Sequence, residues 1–255
     1  EQTVTLTATD VNGNFSTCNA TVRVEDNIAP TVSCQDATVQ LDANGRGLLS
    51  FADIDNGSSD ACGIMIMGPD KNIFDCADVG QQEVTLTVTD VNGNASSCTT
   101  NVTVEDNIAP IVSCQDLNVL KVLLDDSGNG LLPAGDVTNG YSDACGIASL
   151  FSLNRSTFDC TDVGEQTVTL TITDVNGNAS SCTTNVTVED NIAPTASCQD
   201  VSVQLDASGM GTIKTASVDN GSSDACGIEN LSLSKTIFDC TDVGEQEVTL
   251  TATDV

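Results

Sequence analysis

Residues 83–105 read EVTLTVTDVNGNASSCTTNVTVE, and their pattern decides the fold. Val84, Leu86 and Val88 alternate with Thr85, Thr87 and Thr89, the two-residue period of a half-buried strand. Asn92-Gly93 signals a turn, and the alternation resumes from Ala95 with Cys98, Val102 and Val104 on one face. The stretch therefore predicts an antiparallel hairpin.

The hairpin phrase returns along the chain. TDVNGN begins at Thr9, Thr89 and Thr173, and Thr253-Asp254-Val255 opens a fourth copy; VEDNIAP recurs at 24–30, 104–110 and 188–194. Steps of 80 and then 84 residues suit one small domain per repeat rather than one solenoid turn. Because EQTVTLTATDV at 1–11 matches EQEVTLTATDV at 245–255, the chain reads as a window from a longer array. The expected organisation is the closing hairpin of one repeat at 1–26, complete repeats at 31–106 and 111–190, and a repeat without its last strand at 195–255.

Upstream of the hairpin, Val32 to Asp42 reads as a strand whose inward face switches near Gln35-Asp36. Such a bulge moves a first strand from one sheet to the other. Gly47 to Ile54 is expected as a second strand, and Ile64 to Phe74 as a third with a short fourth; no stretch sustains a capped helical period. About seven short strands in some 80 residues predict an all-β chain of tandem immunoglobulin-like β-sandwich repeats. They are expected to be disulfide-stapled and arranged as an extended rod, with Pro30, Pro110 and Pro194 stiffening the linkers.

The balance of 7 basic against 37 acidic residues, net charge −30, speaks against nucleic acid and anionic membrane as partners and favours cations. Aspartates cluster with Asn and Gly, which places the charge in turns. Twelve cysteines at recurring places, with no histidine and no Cys-x-x-Cys, read as disulfides of an exported, extracellular chain rather than a zinc site. The topology sets the first strand of a sandwich beside its last. This predicts Cys34–Cys98 and Cys114–Cys182, with Cys62–Cys76, Cys145–Cys160 and Cys226–Cys240 closing smaller loops and Cys18 and Cys198 unpaired. The rival Cys18–Cys34 pair would require sulfurs a strand and a linker apart to meet.

The same topology gathers VEDNIAP, the TDVNGN turn and the DNGSSDACG loop of the next repeat at one junction. Glu25, Asp26, Asp60, Asp90, Asn92 and Asn94 are the candidate calcium ligands of the first junction. Glu105, Asp106, Asp143, Asp174 and Asn176 repeat the set, and Glu189, Asp190, Asp224 and Asp254 begin it again. Oxygen-rich sets suit Ca²⁺; the competing reading is that these residues only form turns. No enzyme is expected, since no nucleophile and base assemble without histidine from repeated turns. Lys71, Lys121, Lys214 and Lys235 read as occupying different places in each repeat, which argues against an isopeptide staple.

With Pro, a first-strand Cys, VTLTVTDVNGNASSC and a closing VTVEDN, the chain resembles the hyalin-repeat (HYR) family of immunoglobulin-like adhesion modules. With DNGSSDACGI, FDC and DVGEQTVTLT it is also similar to tandem repeats of very large Bacteroidota surface adhesins exported by type IX secretion. That resemblance implies a cell-surface stalk whose partners are neighbouring repeats. The alternatives are a self-associating extracellular filament and a glycan- or surface-binding module, the latter disfavoured by the absence of Trp and the single Tyr141.

Overall fold

The computed structural model describes residues 1–115 and 120–255. They form two compact units, Glu1–Ile108 and Ala109–Val255, each taken by itself below.

The first unit opens with an antiparallel hairpin, β1 (Gln2–Thr9) and β2 (Phe15–Val22), in which Leu6 faces Cys18. Every residue of both strands is exposed. A full repeat follows. Thr31 and Cys34 bridge Ser59 and Asp55. The chain then changes partner at Gln35-Asp36, so that β3 (Ala37–Gln40) runs parallel to the repeat's last strand. Next come β4 (Arg46–Leu48), the helical turn α1 (Phe51–Ile54), β5 (Ile64–Pro69), β6 (Ile73–Asp75), β7 (Gly80–Asp90) and β8 (Ala95–Glu105). One layer is the sheet β3-β8-β7-β5, and β4-β6 belongs to the other.

The two-residue period sorts the core as expected: Val84, Leu86 and Val88 of β7 and Val102 and Val104 of β8 are buried, together with Val39, Leu49, Ile54 and Phe74. The layers meet closely at Gly47, where a Cβ would lie 2.4 Å from Val39 Cγ1. The expected strand Gly47 to Ile54 stops early. Ser50 Oγ accepts from Ala52 N at 3.3 Å while Asp53 accepts from Ser50 N at 2.8 Å, a reciprocal capping box that winds one helical turn in place of extended chain.

The second unit repeats this plan with β9 (Ile111–Cys114), β10 (Lys121–Leu123), β11 (Asn129–Leu131), α2 (Ala134–Val137), β12 (Thr138–Ser142), β13 (Ile147–Leu153), β14 (Thr157–Asp159), β15 (Gly164–Asp174) and β16 (Ala179–Glu189). Its large sheet is β10-β16-β15-β13, over a core that includes Val168, Leu170, Ile172, Val186 and Val188. A last repeat supplies β17 (Gly211–Thr212), α3 (Thr215–Val218), β18 (Ile228–Leu233), β19 (Ile237–Phe238) and β20 (Leu250–Asp254). Residues 201–206, the counterpart of β3 and its end, form no strand, and Val203 and Leu205 are only partly buried.

Cys34 bonds to Cys98 and Cys114 to Cys182, with Cα atoms 6.0 and 5.7 Å apart. The smaller expected loops are not closed. Cys160 reaches across to Cys226 of the following repeat, so neither Cys145–Cys160 nor Cys226–Cys240 forms. Cys62 and Cys240 are exposed free thiols, as are Cys18 and Cys198, whereas Cys76 is oxidised, which rules out Cys62–Cys76. The spacing of 14 to 16 residues within a repeat looked local, but the FDC turn and the DACG loop lie at opposite poles of a sandwich. In the second unit the FDC turn is therefore nearer the DACG loop of the following repeat than its own.

A second correction concerns the cations. Lys71, Arg155 and Lys235 hold one equivalent place, each over the Phe three residues on (Phe74, Phe158, Phe238) at 4.8 to 5.2 Å from the ring centroid. Each also pairs with the Asp seven residues on (Asp78, Asp162, Asp242). The Lys-to-Arg exchange in the middle copy hid this register from a comparison of lysines alone.

Candidate junction site

The DxxG turns come first, because they decide how much acidic oxygen is left over. In TDVNGN, Asp90 Oδ1 accepts from Asn92 N at 2.9 Å and Asn94 N at 2.8 Å, and Asp90 Oδ2 accepts from Asn94 Nδ2 at 2.8 Å. Gly93 at φ 95° takes the left-handed corner, and among the described residues none other than glycine has positive φ. The connection is thus a type I turn closed by a glycine bulge. Asp174 is held in the same way by Asn176 and Asn178, and Asp10, Asp42, Asp125 and Asp206 each accept two backbone N–H groups in like turns.

Burial pushes the Asp90 carboxyl upward, but the hydrogen bonds from Asn94, Asn92 and Gly93 outweigh it and hold the group below the usual carboxylate range. Asp42 and Asp125 are lowered chiefly by backbone hydrogen bonds, from Arg46 and Asn129 respectively.

Asn94 also ties the junction of the first unit. Its Nδ2 donates to the carbonyls of Asp26 at 3.2 Å and Ile28 at 3.3 Å, so the hairpin turn grips the preceding linker. Asp26 Oδ1 caps Ile28 N at 3.0 Å, and Asp60 Oδ1 accepts from Cys62 N at 2.8 Å and Gly63 N at 3.1 Å. One ligand atom each from Asp26, Asp60 and Cys62 lies within 4.8 Å of the others. The Asp26 carboxylate accepts the Cys62 thiol and, with the charges around it, pushes that thiol's pKa up.

The second unit carries the same cluster at Asp190, Asp224 and Cys226. Asp190 caps Ile192 N and Asp224 accepts from Cys226 N and Gly227 N, while the Cys226 sulfur is committed to its disulfide.

The other expected ligands have partners of their own. Glu25 pairs with Arg23 at 2.8 Å, Glu105 accepts from Gln40 Nε2 at 2.6 Å, and Glu189 pairs with Lys121 at 2.5 Å, which lowers its pKa. Asp106 caps Ile108 N and Asp143 accepts from Cys145 N and Gly146 N, the roles that Asp26 and Asp60 have, so these bonds do not remove either from the expected ligand set. Asn92 and Asn176 serve their turns through backbone N–H groups, and Asp254 ends β20 opposite Ile228. Two converging carboxylates at each cluster give fewer oxygens than the six to eight of a calcium shell, so water would complete it.

No family model matches the chain. The chain is similar to hyalin. It is 28% identical to the hyalin of Strongylocentrotus purpuratus over 193 residues, 73% of this chain and 16% of that protein. It is 27% identical to the hyalin of Lytechinus variegatus over 206 residues, 76% of this chain and 38% of that protein. The chain thus spans well under half the length of these relatives. Among solved structures, protocadherin gammaB7 EC3-6 aligns with a TM-score of 0.32 at 18% identity, covering 81% of this chain and 62% of that one. The all-β sandwich repeats and the disulfides place the chain outside the cell, in an oxidising compartment. Among the described residues no helix is long and apolar enough to cross a membrane.

Proposed function

We propose that the chain is a non-enzymatic structural segment of a long extracellular surface adhesin or fibre. Its tandem sandwiches act as a stalk, in a surface protein of the type IX-exported kind its sequence resembles. The observation that supports this most directly is Cys160–Cys226, a covalent bond from one repeat to the next in addition to the bridges that close the two complete sandwiches. The chemistry-bearing residues support it as well: carboxylates serve turns, and the cations sit over phenylalanines. A glycan-binding reading has little support, since the edge-to-face pair of Tyr141 and Phe151 uses the chain's only tyrosine and so does not recur.

In the same proposal, calcium binds at Asp26 with Asp60 and at Asp190 with Asp224 and stiffens the junctions. Scattering and thermal melting of the full chain in calcium against chelator test this. A rise in melting temperature and a longer maximum dimension with calcium are expected; identical curves would remove the cation from the reading. A compact particle in both conditions would remove the stalk itself.

A further inference from the structure

The Cys160–Cys226 bond of the second unit forms where three turns meet. Cys160 opens the helical turn Cys160–Asp162, which a capping box holds: Asp159 Oδ1 accepts from Thr161 N at 2.9 Å and Asp162 Oδ2 from Asp159 N at 3.0 Å. The cation clamp stands behind this turn, since the same Asp162 carboxylate pairs with Arg155, which lies over Phe158. The following repeat presents Cys226 on its DACG loop, where Asp224 Oδ1 accepts from Cys226 N at 2.7 Å and from Gly227 N at 3.2 Å. Both cysteines therefore sit on braced backbone.

The third turn lies against both. Asp125 Oδ1 accepts from Ser127 N and Asn129 N, Gly128 N donates to Asp125 O at 2.7 Å, and Gly128 takes φ 73°. Gly128 O is 3.8 Å from Cys160 Sγ. A Cβ on Gly128 would lie 2.5 Å from that sulfur, 3.4 Å from Ala225 Cβ and 3.7 Å from Ala225 C. The room of one methyl group is thus bounded by a turn of one repeat, the sulfur of that repeat and the loop tip of the next. The glycine and the sulfur recur as a pair: Gly45 O is 3.9 Å from Cys76 Sγ, and Gly209 O is 3.8 Å from Cys240 Sγ. A Cβ on Gly209 would meet Cys240 Sγ at 2.7 Å. The glycine of this turn is fitted to the cysteine as well as to the left-handed backbone.

We propose that Gly128 and Cys160 form a docking notch for the Ala225-Cys226 tip of the following repeat, with Gly128 as the positioning residue that lets the two sulfurs meet. The partner is a DACG loop, recognised by the small side chain that precedes its cysteine. A larger group at either place would hold apart two residues whose Cα atoms come within 5.0 Å of each other. The notch acts before the bond exists. It raises the local concentration of one thiol at the other, which directs Cys160 to Cys226 rather than to Cys145 of its own repeat.

A small disulfide such as oxidised glutathione seals the bridge. One protein thiolate takes a glutathione moiety and releases a glutathione thiol; the second attacks that mixed disulfide and releases another. Two protein thiols and one glutathione disulfide become one bridge and two glutathione thiols. The inference needs neither the stalk reading nor calcium.

The full chain is reduced and then reoxidised in a glutathione buffer containing chelator, and its bridges are followed in time by mass spectrometry of digests. The readout is the rate of Cys160–Cys226 formation relative to Cys114–Cys182 in the same molecules. Gly128→Ala and Ala225→Leu should each lower that ratio about tenfold or more, with Cys160 left as a glutathione adduct or diverted to Cys145. Ala225→Leu tests the notch from the side where no left-handed backbone is disturbed. Gly135→Ala, where a Cβ meets nothing within 4 Å, should leave the ratio unchanged. A parental ratio in both notch variants would overturn the proposal. Equal slowing of both bridges in the two variants would overturn it as well, because the residues would then serve only the fold.

Discussion

At the scale of single residues, this chain uses aspartate to satisfy backbone. Asp90, buried beneath its turn, accepts two N–H groups and a side-chain amide. Asp90→Ala should lower the melting temperature by several degrees, because those donors would be left unpaired away from water. The same residues set the response to acid. Asp42, Asp90, Asp125 and Asp206 all have folded-state pKa values below the ordinary 3.8, so each releases its proton more readily folded than unfolded. Their stabilisation is fully present above the unfolded value and is lost as pH falls through the lower folded values. A melting temperature flat from about pH 5 to 7 and collapsing below about pH 4 is the expected outcome; stability that rose on acidification would contradict it. The density of Asp near Asn and Gly was readable from sequence. Which oxygen each turn consumes was not, since that depends on the φ of one glycine and on the lone pairs left free.

At the scale of elements, the alternating segments were legible because a half-buried strand leaves a two-residue trace in the sequence, as Val84 to Val88 show. The turn α1 left none, since four residues from Phe51 to Ile54 are too few for a helical period. Close packing between layers was equally silent in the text. At Gly47 a Cβ would meet Val39 at 2.4 Å, and a Cβ at Gly130 or Gly211 would meet Val122 or Val203 at the same distance. Gly47→Val should therefore cost about 1–3 kcal/mol in chemical denaturation, as overpacking does. Gly68→Ala in β5, where a Cβ meets nothing within 4 Å, should be close to neutral. Equal losses at both sites would refute the packing argument.

At the scale of the whole molecule, bridges replace much of what a larger apolar core would supply. Opening Cys34–Cys98, which joins residues 64 apart, should cost about 4 kcal/mol by chain entropy, measurable with the Cys34→Ala, Cys98→Ala double variant. Contacts between repeats were the least readable feature, because the spacing of cysteines inside one repeat says nothing about which pole faces a neighbour. Asp26 and Asp60 can be brought together by topology alone, whereas the pairing of Glu25 with Arg23 left no trace in the repeat pattern.

The bridges Cys114–Cys182 and Cys160–Cys226 interleave along the chain, and this has a mechanical consequence. Under tension between residues 114 and 226, load can run through the first bridge and then up the chain from 182, or along the chain to 160 and then through the second. A third and shorter route runs through the first bridge, back along the chain from 182 to 160 and through the second; it holds about 22 residues, roughly 75 Å at full stretch, and sets the limit while both bonds hold. Rupture of one bond leaves a route of about 45 residues, roughly 160 Å, so the segment has a second, fail-safe length limit. In single-molecule pulling, Cys226→Ser should about double the maximal extension between these points relative to the parent chain. Replacing all four cysteines by serine should raise it about fivefold.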